Sequence, residues 1–171
     1  MADFIRAAEH APLLGLSATI TGIANGVYFV ALRRAYALAP ASAVYPLARS
    51  APLLIAVLEF LVFDRRFTLL SWGGILIGVA GLWLIATSAR AGAARLRQAW
   101  PYAALAALMT ALYSLSDKVA APHLPDMAST FGYVCVTYAI GWVFLSLEQW
   151  RAVRRWTPEK VPGIFPLLAG S

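Results

Sequence analysis

The sequence predicts an all-α polytopic membrane bundle with five transmembrane helices and the start of a sixth. Of its 171 residues, 61% are hydrophobic and 13% are charged, whereas soluble domains are about 25% charged. The apolar residues form five continuous stretches, each close to the ~20 residues that cross a bilayer as a helix: 11–32, 40–63, 68–88, 99–121 and 128–149. Backbone groups in a bilayer find no water, so runs of this kind are predicted to be helices.

The first stretch carries one polar residue near its middle, Asn25, and two glycines one turn apart, Gly22 and Gly26. We expect Asn25 either to hydrogen-bond across helices or to line a cavity. Glycines four residues apart allow helices to approach closely, so a packing role is predicted for this pair. The residues before position 11 lack the basic region of a cleavable signal.

The second stretch contains Arg49, which lies between Pro46 and Pro52. Nine residues of helix from Pro40 put it about 14 Å deep, near the bilayer midplane. A charge at that depth indicates function, and each proline removes an N–H and interrupts the helix. Broken helices of this kind surround the substrates of many transporters. The alternative is a structural arginine that pairs with a carboxylate or with the freed carbonyls.

Two carboxylates lie nearer to the opposite interface. Glu59 follows the arginine by about 15 Å of helix, which is too far for a pair. It is predicted to reach the interface or to pair with Lys118, Arg65 or Arg66, and proton coupling is its alternative role. Asp117, near the end of the fourth stretch, is predicted to be an interfacial charge beside Lys118, again with coupling as the alternative.

The third and fifth stretches carry weaker signals. Gly74, Gly78 and Gly81 form a small-residue pattern that predicts helix packing. Cys135 in the fifth stretch is the single cysteine, so no internal disulfide forms, and we expect it to be a small buried residue.

The net charge of +6 does not predict nucleic-acid binding, because no basic stripe interleaved with aromatic residues occurs. Basic residues lie instead in short loops that alternate between the two sides. One side collects nine of them: Arg33, Arg34, Arg90, Arg95, Arg97, Arg151, Arg154, Arg155 and Lys160. The other side has four: Arg6, Arg65, Arg66 and Lys118. The positive-inside rule places the first side in the cytoplasm and the N-terminus outside, and we expect a bacterial inner membrane.

Several classes of protein are excluded or unsupported. The only histidines, His10 and His123, fall near helix ends, and neither has a second histidine nearby, so no metal site is predicted. No Walker-type phosphate loop occurs, which argues against an ATP-driven pump. We predict no catalytic residue and no cofactor, and therefore no enzyme.

Residues 28–87 resemble the drug/metabolite transporter superfamily, in particular its EamA-like branch. The resemblance rests on Ala31-Leu32, on Tyr45-Pro46-Leu47-Ala48-Arg49 and on the glycines at 74, 78 and 81. The segment from Tyr113 to Asp117 is similar to the helix that opens the second repeat of that family. The resemblance implies two five-helix repeats with a substrate carried between them.

On that basis residues 1–88 are expected to be the C-terminal part of a first repeat, with three helices. Residues 89–98 are then a basic loop between repeats, and residues 99–171 the N-terminal part of a second repeat, with two helices and the start of a third. One position departs from the family, because Arg65 stands where an acidic turn residue is usual. Family members commonly keep both termini inside, whereas the arginine count predicts the opposite for this chain.

The expected function is secondary transport, as a permease or exporter, of small organic metabolites or drugs, by a chain that needs further helices to be complete. The alternatives are a truncated or non-transporting membrane protein that only packs helices, and a small multidrug-type transporter that works as a homodimer. Candidate substrate-binding residues are Arg49, Tyr45, Asn25 and Tyr113, and candidate coupling residues are Glu59 and Asp117. The expected partners are the lipid bilayer and a small organic solute.

Overall fold

The structure is a computed structural model that describes residues 2–88 and 92–154. Those residues form six α-helices and no strand: α1 (Ala2–Leu38), α2 (Ala41–Ala48), α3 (Ala51–Phe63), α4 (Leu69–Ser88), α5 (Ala93–Ala120) and α6 (Met127–Arg154). A 3₁₀ turn, Ala121–His123, connects α5 to α6. The predicted all-α bundle is confirmed. The predicted start of a sixth crossing, within 161–171, lies outside the described residues.

Within the described ranges, four segments are long and apolar enough to cross a membrane: His10–Leu38, Ala41–Phe63, Leu69–Ala86 and Met127–Arg151. They correspond to the first, second, third and fifth predicted crossings. The fourth prediction, 99–121, coincides with α5, which has 28 residues but carries fewer large apolar side chains. The count of five crossings is therefore approximate.

The second crossing consists of two helices, because the chain breaks at Arg49 and Ser50. The ring of a proline inside a helix clashes with the carbonyl four residues earlier, and for Pro52 that residue is Ala48, where α2 ends. Pro52 itself is the second residue of α3, a position at which its missing N–H costs nothing. Pro52 thus sets the position of the break, whereas Pro46, which was also expected to interrupt the helix, lies inside α2.

Helix α5 lies at the centre of the bundle and contacts α1, α2 and α3. Its inward face is made of buried alanines: Ala99, Ala103, Ala106, Ala107, Ala111 and Ala120. Ala31 and Ala35 of α1 face the same clusters. Small side chains let helix backbones approach closely, which explains why the central helix is less apolar than helices that face lipid.

Two helices begin earlier than the hydrophobic pattern indicates. Helix α1 extends from Ala2 to Leu38, beyond the predicted 11–32 at both ends. Helix α5 begins at Ala93, so residues 93–98 of the expected loop are helical. Both added segments are rich in alanine, which has the highest helix propensity. Hydrophobicity predicts the part of a helix inside the membrane and misses its polar extensions.

Helix α6 begins at a capped N-terminus. The backbone N–H of Ser129 donates to Asp126 Oδ1 at 2.7 Å, and the Ser129 hydroxyl donates to the Asp126 carbonyl at 2.9 Å. The side chain of Asp126 therefore satisfies an N–H that has no partner within the helix. Because the bond from the Ser129 N–H favours the ionised carboxylate, the pKa of Asp126 lies below its usual value.

Candidate functional site

Arg49 lies at the break between α2 and α3, with φ −85° and ψ 3°. The Cζ atom of its guanidinium is 5.1 Å from the ring centroid of Tyr45, one turn earlier. The hydroxyl of Ser50 donates to the carbonyl of Pro46 at 3.1 Å and so satisfies one acceptor at the break. The side chain of Arg49 is exposed on the surface of the described helices.

Three further tyrosines interact electrostatically with Arg49. Tyr28 and Tyr36 come from α1, and Tyr113 comes from the central helix α5. Arg49 forms no ion pair with a carboxylate of the described part of the chain. The result is an exposed cationic group in a membrane-spanning segment with the ring of Tyr45 beside it, an arrangement that suits an anionic ligand with apolar surface.

Among the four candidate substrate-binding residues, Arg49 and Tyr45 are in contact, and Tyr113 interacts electrostatically with Arg49. Asn25 lies elsewhere, in a cleft between α1 and α6 with Gly26 and Tyr138. Sequence reasoning missed Tyr28 and Tyr36. Their signal was weak, because a tyrosine in an apolar helix is common and only the packing of α1 against α2 and α5 brings these two toward the arginine.

Asp117 is the acceptor in a hydrogen-bond network that joins three helices. Thr21 of α1 donates to its Oδ1 at 2.7 Å, and the hydroxyl of Tyr133 in α6 donates to the same atom at 2.9 Å. Beside them, Ser116 donates to the carbonyl of Ser17 at 3.1 Å. Within the described ranges Asp117 forms no ion pair. It therefore belongs to an interhelical network, while Lys118, the cation expected beside it at the interface, pairs with Glu59.

Glu59 is paired with two cations. Its Oε1 lies 2.7 Å from Nζ of Lys118, and its Oε2 lies 3.0 Å from Nη1 of Arg65. The carboxylate is nearly buried, with a side-chain exposure of 10%. Lys118 also lies 5.0 Å from the ring centroid of Phe63. Adjacent residues of α5, Asp117 and Lys118, thus connect that helix to different neighbours.

The two glycine patterns have different surroundings. A Cβ at position 22 would lie 2.6 Å from Ile140 Cβ, and one at position 26 would lie 2.6 Å from Phe144 Cδ1. Gly22 and Gly26 therefore permit the close contact of α1 with α6. A Cβ at Gly74, Gly78 or Gly81 would meet no atom within 4 Å, so the described chain gives these three glycines of α4 no packing partner.

The remaining candidates give no second polar centre. The imidazoles of His10 and His123 stack with centroids 4.2 Å apart. In the described ranges no three His, Cys, Asp or Glu side chains come together as a metal site would require. Cys135 is exposed on α6, so the expectation of a buried cysteine is wrong: the residue lies on the outer face of a helix that packs mainly against α1.

These features define an integral membrane protein of several helices that carries polar and charged groups inside the bilayer. Residues 4–87 match the model of the EamA-like transporter family. The match confirms the resemblance found in the sequence and extends it toward the N-terminus, beyond residue 28. At a coarse level, a match to this family indicates a membrane transporter of small solutes. No curated protein and no solved structure matches it.

Proposed function

We propose that this protein is a secondary transporter, as a permease or exporter, of small organic metabolites or drugs, and that Arg49 binds a carboxylate or another anionic group of the solute. One observation carries the proposal: a guanidinium lies at a helix break in a membrane-spanning segment, with no carboxylate partner in the described part of the chain. A charge in the bilayer needs a compensating partner, and a passing anion supplies one.

The tyrosines fit the same role. Their rings offer apolar faces and their hydroxyls offer hydrogen bonds, so a solute with an aromatic or aliphatic body fits beside Arg49 and Tyr45. Arg49 also presents a planar fork of donors that matches a carboxylate. We therefore place the solute between the break and the tyrosines of α1 and α5.

The proposed site is open on one side, and further protein must enclose the solute there. Arg49 is exposed and Tyr45 is 45% exposed on the described helices, whereas a carrier encloses its solute between two halves. We propose two alternative arrangements. In the first, the enclosing residues come from the rest of two EamA-like repeats; in the second, they come from a second copy of the chain in a homodimer. In the first, residues 1–88 and 99–171 belong to different repeats. We further propose a bacterial inner membrane, with the arginine-rich loops in the cytoplasm.

For coupling, the contacts favour Asp117 over Glu59. Glu59 already balances two cations at 2.7 and 3.0 Å, and protonation would break both pairs. Among the described residues, Asp117 accepts bonds from the hydroxyl groups of Thr21 and Tyr133, so its carboxyl can gain a proton and keep these neighbours. We propose that Asp117 is the proton-binding residue and that Glu59 is structural.

The decisive experiment is a thermal-shift screen of the purified protein with amino acids and simple carboxylates, each beside its amide analogue. We expect at least one carboxylate to raise the melting temperature while its amide does not. Arg49→Lys and Arg49→Ala should both lose the shift, since lysine keeps the charge without the fork of donors. Arg97→Ala, on the arginine-rich side, is the matched control. A shift that survives in Arg49→Ala, or no shift with any carboxylate, would contradict the assignment.

A further inference from the structure

The structure shows two adjoining cavities between α1 and α6, on a face that the proposed transport site does not use. One has a volume of about 280 Å³ and is lined by Asn25, Gly26 and Gly141 among others. The second, of about 300 Å³, lies toward the ends of both helices. Phe29 and Leu145 line both cavities, so the two form one continuous groove, which we call the α1–α6 groove.

The inner part of the groove is mainly apolar, and two of the residues that line it are glycines. Gly26 and Gly141 are buried where α1 meets α6. The walls are large aromatic side chains, Tyr138 and Trp142, which are 62% and 70% exposed at the outer surface of the bundle. A narrow apolar slot that opens sideways within a membrane-spanning segment suits a hydrocarbon chain.

The other end of the groove is cationic. Arg33 lines it, and its Nη2 lies 2.7 Å from Glu148 Oε2. Arg34 lies 4.0 Å from the other oxygen of the same carboxylate. Two arginines therefore share one negative charge, and in the described part of the chain one positive charge remains without compensation. Both arginines are about half exposed, so they can contact a further anion.

We propose that the α1–α6 groove binds an anionic phospholipid of the cytoplasmic leaflet, with its head group at Arg33 and Arg34 and an acyl chain in the apolar slot. From Asn25 to Arg33 the groove covers eight residues, about 12 Å of helix, which spans from the middle of α1 toward the interface. The arginine-rich side is the one that the positive-inside rule assigns to the cytoplasm, where anionic lipids and basic pockets between helices meet. The proposal does not depend on transport.

The test uses protein in mixed micelles that contain either phosphatidylglycerol or phosphatidylcholine, with retained lipid counted by native mass spectrometry. We expect preferential retention of phosphatidylglycerol. Arg34→Gln should lower that retention about fivefold, since an arginine near an anionic surface is worth roughly 1 kcal/mol. Leu145→Trp fills the junction of the two cavities and should lower it further. The matched controls are Arg97→Gln and Leu147→Trp, which alter similar side chains outside the groove.

A second measurement needs no substitution. A photoreactive phosphatidylglycerol, with its reactive group on the acyl chain, should label peptides from 25–33 and 138–149 in preference to those from α4. Equal labelling of α4, equal retention of the two lipids, or unchanged retention in Arg34→Gln and Leu145→Trp would overturn the proposal. A dimer that excludes lipid from this face would overturn it as well.

Discussion

The ammonium nitrogen of Lys118 lies 2.7 Å from Glu59 Oε1, which joins the end of α3 to the end of the central helix α5. Arg65 completes the arrangement from the loop that follows α3. One nearly buried carboxylate thus balances two cations. Asp117, which precedes Lys118 in α5, instead accepts hydrogen bonds from α1 and α6. The pair is the strongest electrostatic contact between α3 and α5 in the described ranges.

We predict that Glu59→Gln lowers the free energy of unfolding by about 1–3 kcal/mol, because two cations lose their hydrogen-bonded partner. Glu148→Gln is the matched control: its partner Arg33 is half exposed, so the loss should be about 0–1 kcal/mol. Thermal unfolding in detergent, followed by circular dichroism, gives both values. If both variants lost the same unfolding free energy, the burial of Glu59 would not strengthen its ion pairs.

Asp117→Asn should leave the fold intact, because an asparagine oxygen still accepts the bonds from Thr21 and Tyr133. We expect it to abolish the response of solute flux to an imposed pH gradient, since the amide binds no proton. The measurement is solute uptake into proteoliposomes with and without the gradient. As a control, Asn25→Asp adds a carboxylate elsewhere in the Asp117→Asn background, and it should not restore the response. A mutant whose flux still follows the gradient would rule out Asp117 as the coupling residue.

Gly22→Ala should destabilise the protein by about 1–3 kcal/mol, the usual effect of overpacking, because its Cβ would lie 2.6 Å from Ile140 Cβ. Gly78→Ala is the opposite case, since a Cβ there meets nothing within 4 Å. It should stabilise α4 by about 0.5–1 kcal/mol through helix propensity. Melting temperatures of both variants decide the matter. A large loss in Gly78→Ala would indicate that α4 packs against another chain.

The predicted topology can be measured on intact cells with a membrane-impermeant thiol reagent, after Cys135→Ser removes the native thiol. A cysteine at Ala94 should be protected, because the start of α5 belongs to the arginine-rich side. A cysteine at Met127, which is 85% exposed, should be labelled from outside. The reverse pattern would put the N-terminus in the cytoplasm, as is common in the EamA-like family.

Asp126 gives a pH-dependent contribution to stability. The folded state lowers the pKa of its carboxyl, so the contribution is complete above the usual value of about 4 and is lost as the pH falls through the lower folded value. Wild-type protein should therefore melt at a lower temperature in acid than at neutral pH. Asp126→Asn keeps a cap but cannot titrate, and part of this acid sensitivity should disappear. An unchanged pH profile would assign the acid sensitivity to other carboxylates.

The sequence predicted features that depend on one helix. Arg49 between two prolines indicated a break, and the structure has one at Pro52, whose ring clashes with a helical carbonyl of Ala48, whereas Pro46 lies inside α2. Glu59 was expected near Lys118, Arg65 or Arg66, and the first two are its partners.

Features that need two or more helices were harder to predict. The tyrosines of α1 reach Arg49 only because α1 packs against α2 and α5. Asn25 faces α6 rather than the arginine, and a hydrophobic pattern does not say which neighbour a helix face meets. The two glycine patterns look alike in sequence, yet only Gly22 and Gly26 contact a second helix in the described chain.

The alanine-rich composition of α5 has a consequence for how the protein is made. A segment with few large apolar side chains gains little from leaving the translocon for lipid alone, and α5 also begins with two arginines. Its stable position depends on helices that are already in the membrane, chiefly α1, whose alanines meet its own. We therefore expect the earlier helices to stay beside the translocon until α5 is inserted. Variants that weaken the α1–α5 contact should reduce the amount of inserted protein at a smaller perturbation than is needed to reduce its activity.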